Sequence, residues 1–239
     1  MEIFRALGRV KAEKVMKWKI STKADLLPKD GAQFLQSLIG FTHDEVYEAN
    51  RTEFGDLFDQ IGIGGAAVAP DSQLVYEAGK LTARPFCLLH GDLHRANFIV
   101  DHADRLWTID WELATLGDPL YDLATHLYLM RYPEGQQREV TDRWTTTMEA
   151  ALPGASAGLE ADLPRYLAYK HTQSVYTDVM RHAIKIREAG TPEARAKLLD
   201  EGAEAVSGVL AGARNWIGLP SVPGTPEIKD AYRAYGAAR

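Results

Sequence analysis

The stretch that decides the reading is Pro85-Phe86-Cys87-Leu88-Leu89, then His90-Gly91-Asp92-Leu93-His94-Arg95-Ala96-Asn97, and, thirteen residues after Asn97, Asp110 in Ile109-Asp110-Trp111-Glu112. The first run is short and apolar and predicts a buried strand. Phe98-Ile99-Val100 and Leu106-Trp107-Thr108-Ile109 are β-prone and flank a polar turn, Asp101 to Arg105, which predicts a β-hairpin. Gly91 admits backbone angles closed to other residues. It places Asp92 at the tip of a tight loop, with Asn97 pointing back from the loop's end. The hairpin then returns the chain so that Asp110 lies beside Asn97. An amide oxygen and a carboxylate at one corner are hard ligands suited to Mg²⁺. A further carboxylate nearby is free to accept a hydroxyl proton. One base, two metal-holding side chains and little covalent chemistry is the division of labour of phosphoryl transfer.

Working outward, Asp118-Pro119 has the form of an N-cap acid followed by proline at the first helical position. The helix it starts carries the stripe Leu120, Leu123, Leu127 and Met130. From about Gln136 the chain reads as helical. One long helix is expected from Pro164 to Ala189, ended by Gly190-Thr191-Pro192, which opens another reaching about Ala213. Gly218 to Pro226 reads as an ordered loop. Upstream, Asp30 is placed to cap a helix with apolar face Phe34, Leu35, Leu38 and Ile39. Thr42-His43-Asp44-Glu45 has the form of a capping box, ahead of the core candidates Val46, Phe54, Leu57, Phe58 and Ile61. Gly62 to Pro70 reads as a loop. The fold class is therefore α+β, mostly helical, with a small β element, no internal repeat and no evident domain boundary.

Composition narrows the function. Of 239 residues, 46% are apolar and 25% charged, and the formal charge is −6. These values exclude a disordered chain, a coiled coil and a collagen-like repeat. The acidic balance argues against nucleic acid as a partner; the one basic cluster, Lys11 to Lys19, reads as a solvated face. The only cysteine, Cys87, excludes an intramolecular disulfide and a multi-cysteine zinc site, and fits a reducing, cytoplasmic setting. No run is long and apolar enough to predict a membrane span, and the charged first twenty residues lack the apolar core of a secretory signal.

His90, Asp92, Leu93 and Asn97 match the protein-kinase pattern H-R-D-L-x-x-x-N, with Gly91 in place of arginine. The full set, HGDLHRANFIVD, IDWE and GDPLYDLA, resembles the aminoglycoside phosphotransferase and choline kinase-like family of small-molecule kinases. The match is dense from Leu88 to Ala124. The resemblance implies that Asp92 is the catalytic base and that Asn97 and Asp110 hold Mg²⁺. His90 is grouped with Asn97 and Asp110 on the cofactor side, where it and Asp118 would orient the loop. It further implies ATP or GTP as phosphoryl donor and a hydroxyl of a small polar molecule as acceptor. The architecture implied is a single kinase-like C-terminal lobe: a helical lead-in (1–84), the catalytic and metal-binding segment (85–124) and a helical acceptor region (125–239). A smaller β-rich lobe precedes this segment in the family. Here the residues before His90 read as helices, and neither Gly62-Ile63-Gly64-Gly65 nor Val15-Met16-Lys17 has the strand context of a nucleotide clamp. A separate chain or missing segment is expected to supply that lobe.

Two other functions are compatible with the motifs. One is a kinase-lobe remnant that binds a ligand or partner without catalysis. The other is a metal-dependent phosphohydrolase using His90, Asp92 and His94. Glu112 could touch a second metal or face solvent, and Asp118 and Asp122 read as helix-capping, solvated acids. His171, Tyr176, Asp178 and His182 could line an acceptor pocket or be surface polarity. Trp107, Trp111, Trp144 and Trp216 read as core, and Cys87 as buried and inert.

Overall fold

Asp30 starts the helix Gly31–Phe41 as its sequence predicts: its Oδ1 accepts the Gln33 N–H at 2.9 Å, satisfying one of the donors a helix N-terminus leaves free. The computed structural model describes residues 1–10 and 28–237. The basic cluster Lys11 to Lys19, with Val15-Met16-Lys17 inside it, lies outside the described residues. In order come α1 (Glu2–Arg9), α2 (Gly31–Phe41), α3 (Arg51–Ile61), α4 (Gln73–Ala78), β1 (Cys87–Leu89), β2 (Phe98–Val100), β3 (Leu106–Thr108) and β4 (Thr115–Gly117). Then follow α5 (Pro119–Met130), α6 (Glu134–Ala151), α7 (Leu159–Arg187), α8 (Pro192–Ala213) and α9 (Thr225–Ala237). The fold is mostly helical α+β. Two antiparallel pairs, β1 with β4 and β2 with β3, are its sheets among the described residues.

The chain forms two compact units that cut across the linear order: Met1–Ser37 with Ala78–Leu167, and Leu38–Glu77 with Ala168–Arg239. In the first unit, β1 and β4 pair in the register Cys87↔Gly117, Leu88↔Leu116 and Leu89↔Thr115. Gly117 is required because Phe34 lies against it: a Cβ there would sit 2.4 Å from the ring. Phe34 also meets Phe86 and Tyr121 edge-on. Phe4, Leu7, Leu89, Leu93, Leu120, Leu123, Trp144 and Met148 complete an interior closed to water; each fully buried aliphatic or aromatic side chain contributes about 1.5–3 kcal/mol. Cys87 is buried there, and desolvation pushes its thiol far above its ordinary value. β2 and β3 form the expected hairpin, Phe98↔Thr108, Ile99↔Trp107 and Val100↔Leu106. Asp101 closes its turn, accepting the Ala103 and Arg105 N–H groups and the Trp107 indole.

In the second unit, Tyr47, Phe58 and Tyr176 pack ring to ring, and Tyr176 donates to the Gly64 carbonyl at 2.8 Å. The capping box expected at Thr42 does not form. The chain continues from α2 into a wide π turn, Thr42–Tyr47, that buries Tyr47. Thr42 Oγ1 donates back to the Leu38 carbonyl at 3.0 Å. The polar residues of α7 read as acceptor-pocket lining or surface polarity are held within their own unit. Tyr176 is fully buried, His171 and His182 lie against Gly212 and Gly202 of α8, and Asp178 pairs with Arg181 at 3.0 Å. Gly190-Thr191-Pro192 opens α8 as predicted, with Thr191 as its cap through the Ala194 N–H. Among the described residues no helix is long and apolar enough to cross a membrane.

Candidate active site

Three polar residues spaced four apart on α5, with Asp118 as its cap, organise the first unit. Asp118 Oδ1 accepts the Leu120 N–H at 2.9 Å, the capping bond its sequence predicts. It is not solvated. It is fully buried, and its Oδ2 receives Arg84 at 2.6 Å and the Tyr166 hydroxyl at 2.9 Å. Arg84 also bonds the buried Asp162 carboxylate and, through Nε and Nη2, the Ala157 carbonyl at 3.1 and 2.8 Å. Burial pushes the Asp118 carboxyl above the usual carboxylate range, opposed by Arg84 and the hydrogen bonds it accepts.

Asp122, one turn on, is also buried rather than solvated. Its two oxygens accept the backbone N–H groups of His90 and Gly91, each at 2.8 Å. Gly91 has φ +83°, and a Cβ there would lie 2.7 Å from the Leu113 carbonyl oxygen, so the position demands glycine on both counts. One more turn along, His126 donates from Nδ1 to the Leu93 carbonyl at 2.9 Å and accepts the Tyr132 hydroxyl at Nε2, 3.0 Å. Burial lowers its pKa, partly offset by the Leu93 bond. The loop is thus gripped from one helix on both sides of Asp92.

Asp92 itself is partly exposed. Its Oδ2 receives Asn97 Nδ2 at 3.0 Å and His94 Nε2 at 3.2 Å; Asn97 Nδ2 also reaches the Asp92 carbonyl at 2.9 Å. Asp92 Oδ1 and Asn97 Oδ1 take no hydrogen bond among the described residues. The hairpin register carries the chain back as expected, with the Ile109 N–H donating to the Asn97 carbonyl at 3.0 Å. The residues flanking Asp110 both touch His90: its Nε2 donates to the Ile109 carbonyl at 3.0 Å, and its ring lies 4.7 Å from that of Trp111. His90 Nδ1 accepts the Asp92 N–H at 3.3 Å. Asp92 and Asn97 are therefore in direct contact, the residues on either side of Asp110 are bound to Asn97 and His90, and His90 is fully buried. Asp110 is exposed and left-handed, φ +63°, a conformation aspartate tolerates better than most residues.

The donor set fits a hard divalent cation: a buried amide oxygen and an exposed carboxylate, both without a protein partner among the described residues. It does not fit the phosphohydrolase reading. Both His90 nitrogens are engaged, and among the described residues no group of three or more His, Cys, Asp or Glu could hold a metal.

The phosphotransferase enzyme family profile matches residues 43–169, just over half of the chain. The chain belongs to the phosphotransferase enzyme family. A solved structure of a choline/ethanolamine kinase family protein from Mesorhizobium loti is similar at 17% identity and a TM-score of 0.40, with 98% of this chain and 64% of that one covered. The chain therefore spans less than two thirds of that protein. A search of curated proteins finds no match.

Several features of this family member differ from expectation. Trp144 is core, but Trp107 and Trp111 are 53% and 41% exposed. Trp107 is held by its bond to Asp101 and by Arg105 over its ring. With Val100, Leu106 and Leu113, also exposed, they give the hairpin and the turn after it several solvent-facing apolar side chains. Glu112 faces solvent. Arg84, Asp162 and His126 were not singled out by sequence. One signal was present: Asp118, Asp122 and His126 recur every four residues on a helix otherwise apolar on several sides, so that stripe had to be buried and paired.

Proposed function

We propose that this chain is the larger lobe of a Mg²⁺-dependent small-molecule kinase. It moves the terminal phosphoryl group of ATP or GTP to a hydroxyl of a small polar acceptor, of the aminoglycoside, other antibiotic or amino-sugar kind, in the cytoplasm. The observation that carries this reading is the Asp92–Asn97–Asp110 set. One Asp92 oxygen is anchored by Asn97 and His94 and the other is free, and the Asn97 amide oxygen and the Asp110 carboxylate take no protein partner among the described residues. Asp92 Oδ1 takes the acceptor's hydroxyl proton as the acceptor's oxygen bonds the γ-phosphorus. The bond to the β,γ-bridging oxygen breaks, and its electron pair leaves with the nucleoside diphosphate. Asn97 Oδ1 and Asp110 would hold Mg²⁺, which when bound neutralises charge on the transferred group. His90 and Asp122 keep the loop's backbone in place. The net charge of −6 is compatible with a cationic acceptor.

The exposed apolar hairpin supports the second part of the proposal. A β-rich, nucleotide-clamping lobe, from sequence beyond these residues or from another polypeptide, covers it. The test is ADP release from Mg²⁺–ATP over a panel of amino-sugar and aminocyclitol acceptors. Release that rises with acceptor and falls by about 10²–10⁴-fold in Asp92→Ala, the range for loss of a general base, supports the reading. Acceptor-dependent release that Asp92→Ala leaves unchanged refutes it.

A further inference from the structure

His94 is an unexpected residue where it stands. It caps the short turn Arg95–Asn97: its carbonyl accepts the Asn97 N–H at 3.0 Å and its ring Nδ1 accepts the Ala96 N–H at 3.2 Å. Asparagine, aspartate and serine are the usual caps, and a cap uses only one end of the imidazole. The other end, Nε2, lies 3.2 Å from Asp92 Oδ2. Because Nδ1 accepts an N–H, it carries no proton, so the neutral ring's hydrogen is on Nε2 and is donated to the carboxylate.

We propose that His94 is a positioning residue for Asp92. With Asn97 Nδ2 it pins Oδ2 from two sides, fixing the carboxylate's rotation so that Oδ1 alone meets the acceptor. A neutral donor suits this task, since a lysine or arginine there would pair away the charge that makes Asp92 a base. The orientation is built by the loop itself, before any substrate arrives. Its kinetic consequence rests on the phosphotransfer reading; its structural consequence does not.

Two isosteric replacements separate the two ends of the ring. In His94→Asn an amide oxygen can still cap Ala96, but no donor from position 94 reaches Asp92, which keeps only Asn97 Nδ2. In His94→Gln an amide nitrogen stands where Nε2 stood, and the cap is lost. In the full chain without ligand, long-range ¹H–¹⁵N spectra should show His94 protonated at Nε2 and bare at Nδ1. Three-bond couplings should show one Asp92 side-chain rotamer in the native protein and in His94→Gln, and averaging in His94→Asn. The reverse tautomer, or an Asp92 rotamer as fixed in His94→Asn as in the native chain, overturns the proposal. With Mg²⁺–ATP and an acceptor that stimulates ADP release, kcat should fall about ten- to a hundredfold in His94→Asn, the scale of a misplaced reacting group. KM for ATP should stay within about twofold, and His94→Gln should recover most of the loss. A role in the turn alone predicts the opposite order, with His94→Asn active and His94→Gln impaired. If no acceptor stimulates release, the phosphotransfer reading fails, and the spectra alone decide whether His94 holds Asp92.

Discussion

Arg84→Met removes the cation of the first unit's buried knot while keeping most of the side chain's apolar bulk. Arg84, Asp118 and Asp162 have side chains wholly shielded from solvent. Removing one partner from such a group leaves uncompensated buried charge, at about 3–5 kcal/mol, whereas replacing all partners together is often near neutral. What remains sets the size of the loss. Asp118 keeps the Leu120 N–H and the Tyr166 hydroxyl; Asp162 keeps the Thr82 N–H and Arg165, both at 2.9 Å. Those bonds place the expected loss near the lower end, about 3 kcal/mol, or on the order of 6–12 °C in Tm for a chain of this size.

The assay is urea unfolding followed by circular dichroism, with the midpoint read at unchanged m. Two further results belong to the same reasoning. Asp118→Asn added to Arg84→Met keeps the helix cap and removes one stranded charge, so it should restore part of the loss. Burial already holds the Asp118 carboxyl above its ordinary value, and without Arg84 it rises further. A carboxyl raised in the folded state gains stability as pH falls through its folded pKa, so the deficit of Arg84→Met should narrow from pH 7 toward pH 5. A loss below about 1 kcal/mol that is the same at both pH values would refute the account.

Two other outcomes follow. Asp122→Ala strands the buried N–H groups of His90 and Gly91, each worth about 1–3 kcal/mol when left unmade; the urea midpoint should drop by about 2–5 kcal/mol equivalent, and an unchanged midpoint would show that the loop is held elsewhere. Burial lowers the pKa values of His171 and His182 below 6.5, so the unfolded chain binds protons first. Stability should be level above about pH 7 and fall as pH drops below 6.5, and the double variant His171→Gln/His182→Gln should flatten that decline in a midpoint-against-pH series.

What could be read in advance was local. The hairpin declared itself through two β-prone runs about one polar turn, and its register returns Ile109, the residue before Asp110, to Asn97. Asp30, Asp118-Pro119 and Thr191-Pro192 announced helix starts because a cap and its N–H lie within three residues. What was hidden depends on distance along the chain. Thr115-Leu116-Gly117 has too little alternation to read as a strand, and only its pairing with Cys87–Leu89 makes it one. Arg84 finds Asp162 across 78 residues, a separation no spacing rule reaches. The Thr42 capping box failed because burial of Tyr47 carried the helix through the place where it should have ended. Trp107 and Trp111 were misread because an aromatic residue's burial depends on what lies over the hairpin, not on the hairpin.

The buried stripe of α5 explains why so few residues can set up the chemistry. On the proposed reading, phosphoryl transfer asks the protein for position and charge more than for covalent steps, so the loop bearing Asp92 must not move. Asp122 and His126, one turn apart, hold the backbone at His90–Gly91 and at Leu93, on either side of Asp92. Asp118, one turn earlier, is fixed in turn by Arg84 and Tyr166. Each helical turn thus spends one polar side chain on a different segment of chain, and the apolar residues between them bury the helix. A shift of α5 would displace all three anchors together, so the Asp92 loop, the helix cap and the arginine knot are coupled through one rigid element. Loosening the knot at Arg84 should therefore mobilise Asp92, although no side chain of that knot touches the loop.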